Sequence, residues 1–174
     1  MPDVTKAELI EGVVYMPSPV RYSHHGLPHA ILAGWLNNYL EGRDGIQFAI
    51  ASSLRIDLDN EVQPDLMLRR LDERAASHVD EDGYVQGAPE LLVEVAASTV
   101  SYDLHQKKQV YRRAGVREYL VLRTEDAAVD WFVLRDGSYV AQVPDESGAL
   151  HSEAFPGLRL DTAQLLSELA RGGK

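Results

Sequence analysis

The sequence predicts an α/β domain, a mixed β-sheet flanked by helices and formed by all 174 residues. Three observations lead there. Apolar residues alternate in some stretches and recur at spacings of three and four in others, which marks both strands and helices. Leu91-Leu92-Val93-Glu94-Val95-Ala96-Ala97 is a nearly unbroken apolar run, as a central strand covered on both faces requires. The elements follow one another as strand, helix, three strands, helix and further strands, the order of a mixed sheet with helical layers.

Composition agrees. With 45% hydrophobic and 25% charged residues, the chain has the balance of a globular domain able to bury a core. It holds no cysteine, which excludes disulfides, thiolate metal sites, iron–sulfur clusters and a cysteine nucleophile. No apolar run approaches the roughly 20 residues of a membrane helix, and Met1 to Glu11 is too polar for a secretion signal. The expected location is therefore the cytoplasm, away from membranes. Seventeen Lys and Arg against 27 Asp and Glu leave a net charge of −10, which repels nucleic acid at long range. No segment forms a dense basic tract.

Taken in order, Glu8 to Tyr15 reads as a short edge strand or hairpin closed by Pro17-Ser18-Pro19. Ser23 or His24 opens a helix that tolerates Pro28 in its first turn and stops at Gly42. Ile31, Leu32, Trp35, Leu36, Tyr39 and Leu40 form its apolar face. Phe48 to Leu58 reads as a half-buried strand, with Leu54, Ile56 and Leu58 on one side. After Asn60-Glu61 and Pro64, Asp65 to Leu68 forms the next strand. Arg69 to Pro89 is charged and patternless, a long surface loop with one helical turn near Leu71 to Ala76. The central strand at Leu91 leads into a helix from Tyr102 to Ala114 ended by Gly115, then a buried strand from Glu118 to Leu122. Trp131 to Leu134 and Tyr139 to Val143 pair as a hairpin around Asp136-Gly137. A short strand at Leu158 to Leu160 precedes a final helix capped by Asp161 or Thr162.

Two residues break these patterns. Glu94 lies inside the central strand, where an unpaired carboxylate costs several kcal/mol unless it is protonated, ion-paired or bound to a metal. Lys107 lies within the stripe formed by Val100, Leu104, Tyr111 and Ala114, so it faces inward, whereas Lys108 turns away. Lysine rarely faces a core without a partner. Asp103, one turn earlier, is a candidate, and Asp65 begins the strand expected beside Glu94. Singly, an acid in a strand and a lysine on a helix face are more often an ordinary ion pair than a catalytic site; together they suggest a site.

Pro64-Asp65 followed by Glu94-Val95-Ala96 on a buried strand resembles the PD-(D/E)XK nuclease superfamily. More closely, the chain resembles the Uma2-type (DUF820) branch of endonucleases. That likeness rests on Glu8-Leu9-Ile10-Glu11-Gly12, Pro17-Ser18-Pro19, His25-Gly26, Pro64-Asp65-Leu66, Ala88 to Val95, Asp103 with Lys107 and Tyr111, and Gly115-Val116-Arg117-Glu118-Tyr119. The resemblance implies a restriction-endonuclease-like core of order αβββαβ, extended by a C-terminal hairpin and helix. It also implies a metal-dependent endonuclease acting on DNA, with Asp65, Glu94 and the carbonyl of Val95 as ligands of Mg²⁺ or Mn²⁺. The superfamily lysine would stand at position 96, which here is alanine. Lys107 is the natural substitute, and Asp65, Glu94 and Lys107 become the candidate catalytic set.

A hard cation on oxygen ligands polarises a phosphodiester and lowers the pKa of bound water, while a lysine offsets charge on the phosphate. His25 is placed near the substrate. His25 and His29 stand four apart, but the acid of a helical zinc protease does not follow His25. Glu8 or Glu11 offers a third acid, and an exposed strand edge suits both equally. Asp80 to Asp82 lacks the downstream glutamate of a calcium loop and reads as solvated. Cutting both strands takes two sites, which implies a homodimer with Trp131-Phe132-Val133-Leu134 as its apolar surface. Two other readings fit the same residues: a catalytically silent binding or assembly protein that keeps the fold, and a metal-dependent hydrolase of small phosphoesters.

Overall fold

The computed structural model describes residues 7–16, 19–97 and 102–172. Its centre is a six-stranded sheet ordered β12-β11-β10-β9-β6-β3. These strands are β3 (Ile46–Ile50), β6 (Leu66–Arg70), β9 (Leu91–Ala96), β10 (Glu118–Arg123), β11 (Ala128–Arg135) and β12 (Ser138–Ala141). β9 and β10 run parallel, with Val93 opposite Leu120 and Glu94 opposite Val121; the other neighbours are antiparallel. A parallel pair needs a crossover, and the helical stretch before Gly115 supplies it. With α1 (Leu27–Leu40) ahead of β3 and α2 (Lys108–Ala114) between β9 and β10, the core order is αβββαβ.

Alternation along the central strands divides the core in two. Leu66, Leu68, Leu91, Val93, Val95, Leu120, Leu122 and Trp131 pack on one face with Leu32 and Leu36 of α1, Leu150, Phe155 and Leu165. Met67, Leu92, Ala96, Tyr119, Val121 and Phe132 pack on the other with Val110 and Tyr111 of α2 and with a second sheet. Every residue of β9 is buried, so both faces are covered as its apolar run requires. Glu94 shares the parity of Leu92 and Ala96, and its side chain points to the α2 face.

The second sheet is the main departure from the expected layout. It is ordered β2-β1-β5-β4-β8-β7, from β1 (Glu8–Ile10), β2 (Val13–Tyr15), β4 (Leu54–Asp57), β5 (Asn60–Val62), β7 (Ser77–Val79) and β8 (Val85–Gly87). Phe48 to Leu58 is not one strand: the backbone breaks at Ala51 (φ 47°), sending β3 to the central sheet and β4 to the second. Leu58 stands in the turn that follows and is exposed. Asn60-Glu61 belongs to a strand rather than a break.

The expected surface loop from Arg69 to Pro89 contains the β7–β8 hairpin. Polar contacts hold it in place of an apolar pattern. The buried Arg69 guanidinium donates to Ser77 Oγ at 3.2 Å and Ser77 O at 3.0 Å. Glu90 accepts the Arg70 N–H at 2.8 Å. Asp80 organises the hairpin tip instead of standing solvated, accepting from Tyr84 N–H and Gln86 Nε2, each at 2.8 Å. The Tyr84 N–H is the main cause holding its carboxyl below the ordinary range.

The β11–β12 hairpin turns at Asp136 and Gly137, both with positive φ (48° and 74°), as a two-residue turn demands. Trp131, Phe132 and Val133 are buried within the chain, so they do not furnish the expected dimer surface. The strand β14 (Arg159–Asp161) pairs with β13 (Ala149–His151), which shows no pattern of its own. Asp161 then caps α3 (Thr162–Gly172), its Oδ1 accepting the Gln164 N–H at 2.9 Å. Pro17-Ser18 lies outside the described residues. Among the described residues, no helix is long and apolar enough to cross a membrane.

Candidate functional site

Two helix entries bring side chains to Asp65 and Glu94. Both begin with a π-helical turn, Tyr22–Gly26 ahead of α1 and Asp103–Lys107 ahead of α2. Such turns re-aim side chains and recur at functional sites. The first carries His25 and the second carries Lys107.

Lys107 is buried, and its Nζ donates to Glu94 Oε1 at 2.9 Å. Tyr111, one turn further along, donates its hydroxyl to the same oxygen at 2.9 Å. The Tyr111 hydroxyl is held well above its ordinary range, first by burial and then by the charge of Glu94, so its proton remains on the phenol. Tyr111 is in turn seated edge-on against Tyr119, with ring centroids 5.0 Å apart.

Asp65 is placed by backbone. It stands one residue before β6, whose antiparallel register puts Leu66 opposite Val93. Its Oδ2 accepts the Val95 N–H at 2.8 Å. In a strand the N–H and C=O of one residue point to the same side, so the Val95 carbonyl also faces the Asp65 side of β9. His25 Nε2 contacts Asp65 Oδ1 at 3.1 Å and Oδ2 at 3.2 Å, while His29 Nε2 binds the Asp65 carbonyl at 3.0 Å. His25 and His29 thus share Asp65 as their partner.

Glu8 and Glu11 differ in fate. Glu8 Oε1 lies 2.9 Å from Lys107 Nζ and also accepts the Gln63 N–H at 2.8 Å. Glu11 is exposed at the β1–β2 turn, paired with Arg113 at 2.7 Å, and contributes nothing to the cluster. Glu8 is therefore the acid that reaches Lys107. Alternation along the hairpin separates the two residues, but the parity that points inward depends on pairing with β5. The side chain of Asp103 lies outside the described residues.

The donor chemistry fits a hard divalent cation. Asp65, Glu94 and the Val95 carbonyl offer oxygen only, and Mg²⁺ typically uses one or two carboxylates, leaving other positions to water and substrate phosphate. Among the described residues, no three or more His, Asp or Glu side chains gather as a metal-binding group.

Residues 1–163 match the Uma2 family, described as "Putative restriction endonuclease". Among solved structures, the fold is similar to one from Anabaena variabilis described as "a putative nuclease belonging to DUF820", with a TM-score of 0.72. Identity to that protein is 14%, and the match covers 94% of this chain and 90% of the other. No curated protein matches this chain.

Proposed function

The chain belongs to the Uma2 family, and we propose on that premise that it is a Mg²⁺- or Mn²⁺-dependent DNA endonuclease centred on Asp65, Glu94 and Lys107. The observation that carries this reading is the direct contact of the Lys107 ammonium with a buried strand carboxylate, Glu94, at 2.9 Å. Asp65 is held on the adjacent peptide of Val95.

Asp65, Glu94 and the Val95 carbonyl would hold the cation. Such a cation supplies Lewis-acid polarisation of a phosphodiester oxygen and a water of lowered pKa. Lys107 offsets the charge that gathers on the phosphate oxygens during displacement, from a position requiring little reorganisation. Tyr111 keeps its proton and orients Glu94 by donating to Oε1. His25 does the same for Asp65, fixing the carboxylate against the Val95 peptide. DNA as the substrate rests on the family's description, and a pair of chains is the proposed unit for cutting both strands.

One observation favours a second reading, a catalytically silent binding protein: Lys107 bridges two carboxylates and would serve as a purely structural ion pair. Plasmid cleavage with Mn²⁺ separates the two. Cleavage by the wild type, lost in Asp65→Asn and Lys107→Ala, supports the nuclease. Full cleavage in Lys107→Ala would defeat the assignment, and cleavage of small phosphoesters alone would replace DNA as the substrate.

A further inference from the structure

Lys107 is held by more than Glu94. Its ammonium also donates to Glu8 Oε1, on a strand of the second sheet, again at 2.9 Å. The two acceptors come from different layers: Glu94 from the central sheet, Glu8 from the sheet that packs over it. Glu8 is pinned independently, because the same oxygen accepts the Gln63 N–H at 2.8 Å. Its side chain is 8% exposed.

This arrangement answers a difficulty in the cation reading. A divalent cation on Glu94 brings like charge against an ammonium bonded to the same carboxylate. With Glu94 as its sole anchor, Lys107 would have to leave the carboxylate or keep the cation out. We infer that Glu8 is a positioning residue. It gives the Lys107 ammonium a second anionic anchor, so that the ammonium keeps its place when Glu94 is taken up by a cation. The inference rests on the cation reading above. Glu8 Oε1 already accepts from both the Lys107 ammonium and the Gln63 N–H, which places it as an anchor.

The test is calorimetric titration of the full chain with Mn²⁺, which needs no turnover. Glu8→Gln keeps the size and the acceptor for Gln63 but removes the charge. It is expected to weaken Mn²⁺ binding by about tenfold, within the range of coupling between groups in contact. In a Lys107→Gln background, where there is no ammonium to hold, the same change is expected to cost less than about threefold. Equal losses in both backgrounds would overturn the inference, because Glu8 would then act by its field alone or as a ligand. Glu8→Asp provides a second arm should Lys107→Gln fail to fold. It keeps the charge but withdraws it by one methylene, so it is expected to behave like Glu8→Gln, and wild-type affinity there would equally overturn the anchor role. A wild type that binds no Mn²⁺ would end the cation reading and this inference with it. Loss of the anchor role alone leaves wild-type binding intact.

Discussion

Replacing Lys107 by Met exchanges an ammonium for a thioether of similar length and leaves Glu8 and Glu94 without the cation they share. The three side chains are 5%, 8% and 4% exposed, so water recovers little of what is lost. Removing one partner of a buried ion pair costs about 3–5 kcal/mol. Here two carboxylates lose the same partner, but each keeps another donor: Gln63 N–H on Glu8 and the Tyr111 hydroxyl on Glu94. The cost therefore stays within that range rather than doubling. A domain of this length loses about 2–4 °C in Tm per kcal/mol, so thermal unfolding near neutral pH should shift down by roughly 6–20 °C. Circular dichroism melts of the two proteins measure it directly. Mn²⁺ at 100 times its Kd should return about 2.7 kcal/mol of stability to any folded chain that binds it at this site. A variant melting within about 2 °C of wild type would refute the buried-cluster energetics on which the site rests.

Three further outcomes follow from named contacts. Tyr111→Phe deletes one hydroxyl bonded to Glu94 and should cost about 1.5–3 kcal/mol by chemical denaturation, with little change in fold. Glu118 accepts from Trp131 Nε1, Ser152 Oγ and the N–H groups of Glu153 and Ala154, while burial, the largest influence, raises its carboxyl pKa. A raised folded pKa contributes stability that is fully present below the ordinary value of 4.5 and lost as pH climbs through the folded value. The advantage of wild type over Glu118→Gln should thus shrink with rising pH in denaturation series; an advantage that grows would contradict it. Gly87→Ala places a Cβ 2.4 Å from the Ala76 carbonyl oxygen at a φ of +92°, and should destabilise by at least about 1–3 kcal/mol in urea unfolding.

The sequence by itself determined most of the central layer, though not the separation of its edge strand β3 from β4. Leu91 to Ala96, Glu118 to Arg123 and the hairpin at Asp136-Gly137 are written in apolar runs and turn residues, which are local signals that need no partner to be read. Glu94 and Lys107 were legible for the converse reason, since a charge inside an apolar pattern must be accounted for. Beyond the β1–β2 hairpin and the alternation at Leu54 and Ile56, tertiary structure decided the second sheet. Its strands are only three or four residues long, and the β7–β8 hairpin carries no apolar pattern because polar contacts of Arg69, Glu90 and Asp80 with nearby segments hold it. It also decided between Glu8 and Glu11, since both acids stand on the same hairpin. Strand pairing turned Glu8 inward to Lys107 and left Glu11 in solvent beside Arg113. A side chain's charge is a property of the chain, but the dielectric and the partner that give that charge its chemistry arise only when distant segments pack.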